Sequence, residues 1–206
     1  FTRTLSEGYV GINGLFTDIL NILSLSELGV GTAITYALYA PIARRDIKKQ
    51  QILMRMFRNF YRITAGFVLL AGLCLIPFLD ILMKDRPDVN HLIIIYLLYL
   101  LNSVVSYLLI YKKTLVDAHQ MNYITVMYHN GFLVLQDILQ IMVLFLTRNF
   151  ILFLVIAVVC TIIGNICMSR KADRLFPYLK EPCKEQLPQE ERHDIFRNVK
   201  AMLMHK

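Results

Sequence analysis

Apolar residues gather into five long runs separated by short polar stretches. A helix of about 20 residues spans the ~30 Å hydrocarbon core of a bilayer, so each run predicts a membrane span. The first covers 12–42 and is interrupted by Asp18, Glu27 and the Gly29-Val30-Gly31 run. The second, 63–83, is uncharged as far as Leu79 and has Pro77 near its end. The third, 91–111, is uncharged while His91 is neutral; the fourth, 121–147, carries only Asp137; the fifth, 150–169, carries nothing. Barrel strands are excluded, because they need ~10 residues of apolar/polar alternation. A stretch such as Leu92-Ile93-Ile94-Ile95 is apolar on every face. Backbone groups in lipid must be satisfied within the segment, which makes these runs helices.

Two segments are amphipathic instead. Over 46–62, Leu53, Met56, Phe57 and Phe60 share a face, with Lys48, Gln51, Arg55 and Arg62 on another. Near the end, Ile195, Val199, Met202 and Leu203 share a face ringed by Arg192, Arg197 and Lys200, and Pro188, Glu190 and Glu191 suit that helix's first turn. Each reads as an interfacial helix or as an ordinary helical extension in a loop. The pattern thus divides the chain into a membrane part, 1–170, and a linker with an amphipathic helix, 171–206, with 180–189 as a polar connection.

Composition agrees. Of 206 residues, 56% are hydrophobic and 18% charged, too apolar for a disordered chain or an ordinary soluble domain. Four cysteines are too few for a disulfide-stapled secreted fold. The net charge of +7 raises nucleic-acid binding, but the basic residues lie in blocks between apolar runs rather than interleaved with aromatics, so no nucleic-acid partner is expected. Eighteen of the 22 Lys and Arg fall in 43–62, 111–122 and 170–206; Arg3, Lys84, Arg86 and Arg148 fall in the alternate connections. By the positive-inside rule the first group faces the cytoplasm. Five spans with a cytoplasmic tail then put Phe1 outside, with no initiator Met or signal peptide to carry it there. The expectation is a fragment whose parent has a helix upstream.

Enzyme motifs are missing: there is no Walker loop, HExxH, GxSxG or CxxC, and neither the cysteines nor the histidines have metal-ligand spacing. The expectation is a non-enzyme with no cofactor and no metal. The informative groups are polar residues within the spans. A mid-membrane carboxylate costs about 2.5–3.5 kcal/mol, so it normally faces protein or water. Glu27 lies ~22 Å along its span and Asp137 ~16 Å from the outer end of its own, at comparable depth. Asn130 shares a face with Asp137, seven residues away, while Asp18 and Asn21 lie nearer the outer end. One reading is a polar cavity lined by Asp18, Asn21, Glu27, Asn130 and Asp137. The other is hydrogen-bonding glue between helices, which suits Asn102, Gln136 and Gln140. Gly29 and Gly31 permit either close helix approach or a bend.

Two stretches carry a family likeness: Tyr9-Val10-Gly11-Ile12-Asn13-Gly14-Leu15-Phe16-Thr17 and Leu25-Ser26-Glu27-Leu28-Gly29-Val30-Gly31-Thr32-Ala33-Ile34. They resemble the bacterial polysaccharide flippases, the Wzx-like members of the multidrug/oligosaccharidyl-lipid/polysaccharide exporter superfamily, which show a "YxGxNGLF" stretch and a "(D/E)LGxG" turn. Residues 37–46 and the closing Ile195-Phe196-Arg197-Asn198-Val199-Lys200-Ala201 are similar to that family's next loop and mid-chain linker. The resemblance implies a two-lobe transporter of twelve or more helices, of which the five spans would be helices two to six. It implies a lipid-linked oligosaccharide as cargo, carried on undecaprenyl diphosphate across the bacterial inner (plasma) membrane. Its other partners would be membrane lipids and the parent chain's first helix and C-terminal lobe. A cation-coupled drug exporter of the same superfamily and a non-transporting scaffold for glycan assembly are the alternatives. A diphosphate calls for cationic contacts, and no Arg or Lys lies deep in the five spans. Arg44, Arg45, Arg58 and Arg62 sit at the cytoplasmic mouth, where they either attract the diphosphate or set topology.

Overall fold

The computed structural model describes residues 7–24, 30–79 and 91–180. These form seven α-helices: α1 (Glu7–Ser24), α2 (Val30–Ala43), α3 (Ile47–Leu75), α4 (Leu92–Leu108), α5 (Ile110–Ala118), α6 (Asn122–Thr147) and α7 (Phe150–Leu175). Short 3-10 turns follow at Ile76–Phe78 and Pro177–Lys180, and no strand occurs among the described residues. The all-helical expectation therefore holds.

The five predicted spans are seen only in part. Among the described residues, three helical stretches are long and apolar enough to cross a membrane: Ile47–Phe78, Asn122–Thr147 and Phe150–Leu175. The α4–α5 pair becomes a fourth if its 42° bend lies within one span. The first predicted span is represented by α1 and α2, and residues 25–29 between them lie outside the described part. Of these, the 18 residues of α1 are too polar to count among the spans, and the apolar part of α2, Ile34–Ala43, is short. The amphipathic segment over 46–62 is continuous with the second run in α3, whose 29 residues extend ~43 Å. That exceeds the ~30 Å core, so part of α3 stands clear of it. The second amphipathic segment lies outside the described residues.

Helix ends explain the sharp corners. At the end of α2, Arg45 adopts a left-handed φ of 54°; its N–H bonds Ile42 O at 3.0 Å, and the Asp46 N–H bonds Pro41 O at 2.9 Å. This pair of bonds is a Schellman cap built without glycine. Asp46 then caps α3, its carboxylate accepting the Lys49 N–H at 3.0 Å. The end of α5 repeats the device: Gln120 has φ 61°, and the Gln120 and Met121 N–H groups bond Asp117 O and Val116 O. At the α6–α7 hairpin, Arg148 takes φ 50° and the Asn149 side chain accepts from Ile151 and Leu152.

The core runs between α3, α4 and α7, with α1 laid over α4. Tyr61, Val68, Ile95, Tyr96 and Leu100 are fully enclosed. Gly72 lets α3 and α4 approach: a Cβ there would meet Leu100 Cδ1 at 2.3 Å, and Gly72 O accepts the Tyr96 hydroxyl at 2.8 Å. Phe16 of α1 stands edge-on to Tyr96, ring centroids 5.1 Å apart.

One end of the molecule collects the basic connections. Gln50 Nε2 donates to Pro41 O at 3.2 Å and Gln51 Nε2 to Tyr178 O at 2.5 Å; the Tyr178 hydroxyl donates to Gln50 Oε1 at 2.6 Å. His119 packs on Phe176 at a tilt of 39°, with ring centroids 4.3 Å apart. The end of α2, the start of α3, α5, the end of α7 and the last 3-10 turn therefore share one basic end. At the opposite end, Tyr9 packs on Phe150 beside the α6–α7 hairpin.

Candidate functional site

Polar side chains of the helices divide into those the chain satisfies itself and those it leaves facing outward. Gln140 is buried on α6, and its Nε2 donates to Phe153 O of α7 at 3.0 Å. Gln136 reaches the same amide at 3.5 Å. Asn165 on α7 donates to Val105 O of α4 at 3.2 Å, and the Tyr99 hydroxyl donates to Asn13 Oδ1 of α1. These are helix-to-helix bonds of the kind that hold membrane bundles together. Asn102 points inward too, but its Oδ1 is buried and has no partner.

Asn130 and Asp137 behave otherwise. Both are exposed, two turns apart on one flank of α6, and Gly131 beside them has open space where a Cβ would stand. Helix α6 is the least covered of the three long apolar stretches. Around that flank lie exposed Val134, Ile138 and Ile141. A carboxylate and an amide are thus set into an apolar surface near the middle of a lipid-length helix. Exposed to acyl chains, that arrangement is costly, so the flank suits water or another polypeptide.

Asp18 is exposed on α1, on the face that also carries Gly11 and Gly14, both with open space beside them. The structure does not bring Asp18 and Asp137 together: α1 packs on α4 and α3, whereas α6 packs on α7 and α5. The side chain of Asn21 and the whole of Glu27 lie outside the described part, as does Gly29. Of the basic residues at the predicted mouth, Arg44, Arg45 and Arg62 are exposed, and Arg58 is partly buried. Its Nε is enclosed and unpartnered.

The basic end holds a cluster that the sequence pattern does not reveal. Lys112 Nζ lies 2.7 Å from both carboxylate oxygens of Asp173 and 2.8 Å from Ser169 Oγ, tying α5 to the end of α7. By pattern, Asp173 reads as part of the linker, because the fifth apolar run ends at Ser169. The available signal is the i, i+4 spacing of Ser169 and Asp173 at the end bearing Lys112. Near the α5–α6 corner, the buried Thr125 hydroxyl donates to Asp117 Oδ1 at 2.6 Å. Among the described residues no three His, Cys, Asp or Glu are grouped to hold a metal ion. Compared with known proteins, the chain matches no family model, and no curated protein or solved structure is significantly similar to it.

Proposed function

We propose that this chain is the N-terminal lobe of a polysaccharide flippase that moves undecaprenyl-diphosphate-linked oligosaccharide units across the bacterial inner membrane. The observation that carries the reading is the outward flank of α6, where Asn130 and Asp137 stand unsatisfied on a helix of membrane length. A lobe that encloses its cargo against a second lobe needs such a flank: polar enough to wet a chamber, yet set among apolar residues. Hydroxyl-rich sugars bind by hydrogen bonds to carboxylates and amides, the side chains found here. The gathering of the basic connections at one end supports placing that end in the cytoplasm. The ordered motifs at 9–17 and 25–34 supply the family likeness. In this reading Asp18 and Glu27 join the chamber from the first helix pair.

The test is made in cells carrying the native gene. Asp137→Ala and Glu27→Ala are expected to abolish surface polymer while the protein remains inserted at normal levels. Full export by both variants would remove the site assignment. Loss of drug resistance with normal glycan would favour the exporter alternative. An unchanged leaflet distribution of lipid-linked glycan in a deletion strain would leave a scaffold.

A further inference from the structure

The described stretch Ile47–Leu75 carries five basic residues and no acid. Two of them, Arg58 and Arg62, lie one helical turn apart, so their guanidinium groups emerge from one face. They stand at the last charged level of α3, since 63–79 is uncharged. Arg58 turns inward far enough for its Nε to be enclosed, and that nitrogen has no hydrogen-bond partner. A buried charged donor left unpaired loses its hydration without compensation, so an anion is the missing element. The nearby acid does not supply it, because both Asp173 oxygens are engaged by Lys112. On the other side, the Tyr111 hydroxyl lies within hydrogen-bonding reach of Arg58 and in the field of Arg62.

We propose that Arg58 and Arg62, with Tyr111 beside them, bind the phosphate of an anionic lipid headgroup. Guanidinium groups hold phosphate oxygens through paired, charge-assisted hydrogen bonds. The source of the phosphate follows from what continues along α3. Leu69 and Leu73 lie seven and eleven residues beyond Arg62 on the same face, and both are exposed. Ile63 and Leu70 flank them, also exposed. A headgroup at the two arginines therefore lays its acyl chains along an apolar strip of the same helix. A soluble phosphate would make no use of that strip. The proposal goes beyond the flippase reading and needs only that α3 stands in a membrane.

Native mass spectrometry of the purified chain in detergent tests it, with phosphatidylglycerol as the probe and inorganic diphosphate in a parallel arm. The wild type is expected to retain phosphatidylglycerol. Arg58→Gln/Arg62→Gln should weaken retention at least tenfold, and Tyr111→Phe several-fold. Arg170→Gln/Arg174→Gln makes the same change in net charge on two exposed residues of α7 and should leave retention unchanged. Arg58→Lys keeps the charge and guards against misfolding; it too should bind more weakly, because an ammonium lacks the planar fork. Equal losses in the two double variants, or no retention by the wild type, would overturn the proposal. So would binding of inorganic diphosphate alone, since it assigns the anion to a soluble source.

Discussion

Gly72 shows how a single residue sets a helix spacing. It sits where α3 crosses α4, and an added methyl group would enter the Leu100 side chain at 2.3 Å. Overpacking of that kind costs about 1–3 kcal/mol, and we expect Gly72→Ala to lower thermal stability in detergent accordingly. Leu100→Ala in the same chain should recover part of the loss, giving a non-additive double-mutant cycle. Gly164→Ala meets Phe132 only at 3.2 Å and should cost less. Tyr178 carries a pH dependence. Burial pushes its hydroxyl pKa up to about 12, above the ordinary phenol range. A raised folded value means that the protonated form is favoured in the fold. The contribution is complete below about pH 10, the free phenol's range, and is lost as pH rises through about 12. The hydrogen bond to Gln50 goes with the proton. The difference in melting temperature between wild type and Tyr178→Phe should therefore be constant at neutral pH and shrink across that window.

At the scale of elements, legibility in the sequence followed hydrophobic period and failed where the apolar surface is not continuous. The runs at 121–147 and 150–169 became α6 and α7, because uniform apolarity over more than 20 residues leaves a helix no competitor in lipid. Amphipathicity marked 46–62 correctly: Leu53 and Phe57 are buried while Arg55 and Arg62 are exposed. Nothing in the pattern joined that segment to the next run, since period alone does not distinguish a continuous helix from two. The 42° bend at Leu109 was equally invisible, as no proline or glycine marks it. Its geometry is held from outside, by Lys112 reaching Asp173 on α7. Both partners are largely enclosed, with side chains 15% and 22% exposed. An ion pair between fully exposed and fully buried is strongly felt when one partner is lost, and Asp173→Asn should cost about 1–3 kcal/mol. Lys112→Met/Asp173→Leu should restore most of it, read as a double-mutant cycle on thermal unfolding.

For the whole molecule, charge was more legible than contact. The blocks at 43–62, 111–122 and 170–206 were expected on one side of a membrane, and their described residues meet at one end of the fold through Gln50, Gln51, Lys112 and Tyr178. Of the candidate cavity residues, Asp18, Asn130 and Asp137 face outward, while Gln140, which the sequence suits to glue between helices, bonds a backbone carbonyl of the next helix. Ionisability is the signal the sequence offers for that division, since a carboxylate is harder to bury than an amide; which neighbour or solvent each side chain meets is set only when the helices pack. A transport chamber requires the outward flank of α6 to front water. The direct measurement is cysteine accessibility in intact membranes, after Cys74, Cys160, Cys167 and Cys183 are replaced by serine or alanine. Asp137→Cys and Asn130→Cys should react with a membrane-impermeant thiol reagent, whereas Phe145→Cys, exposed on an apolar part of α6, should not. Asp137→Cys as inert as Phe145→Cys would place that flank against lipid or packed protein and contradict the chamber.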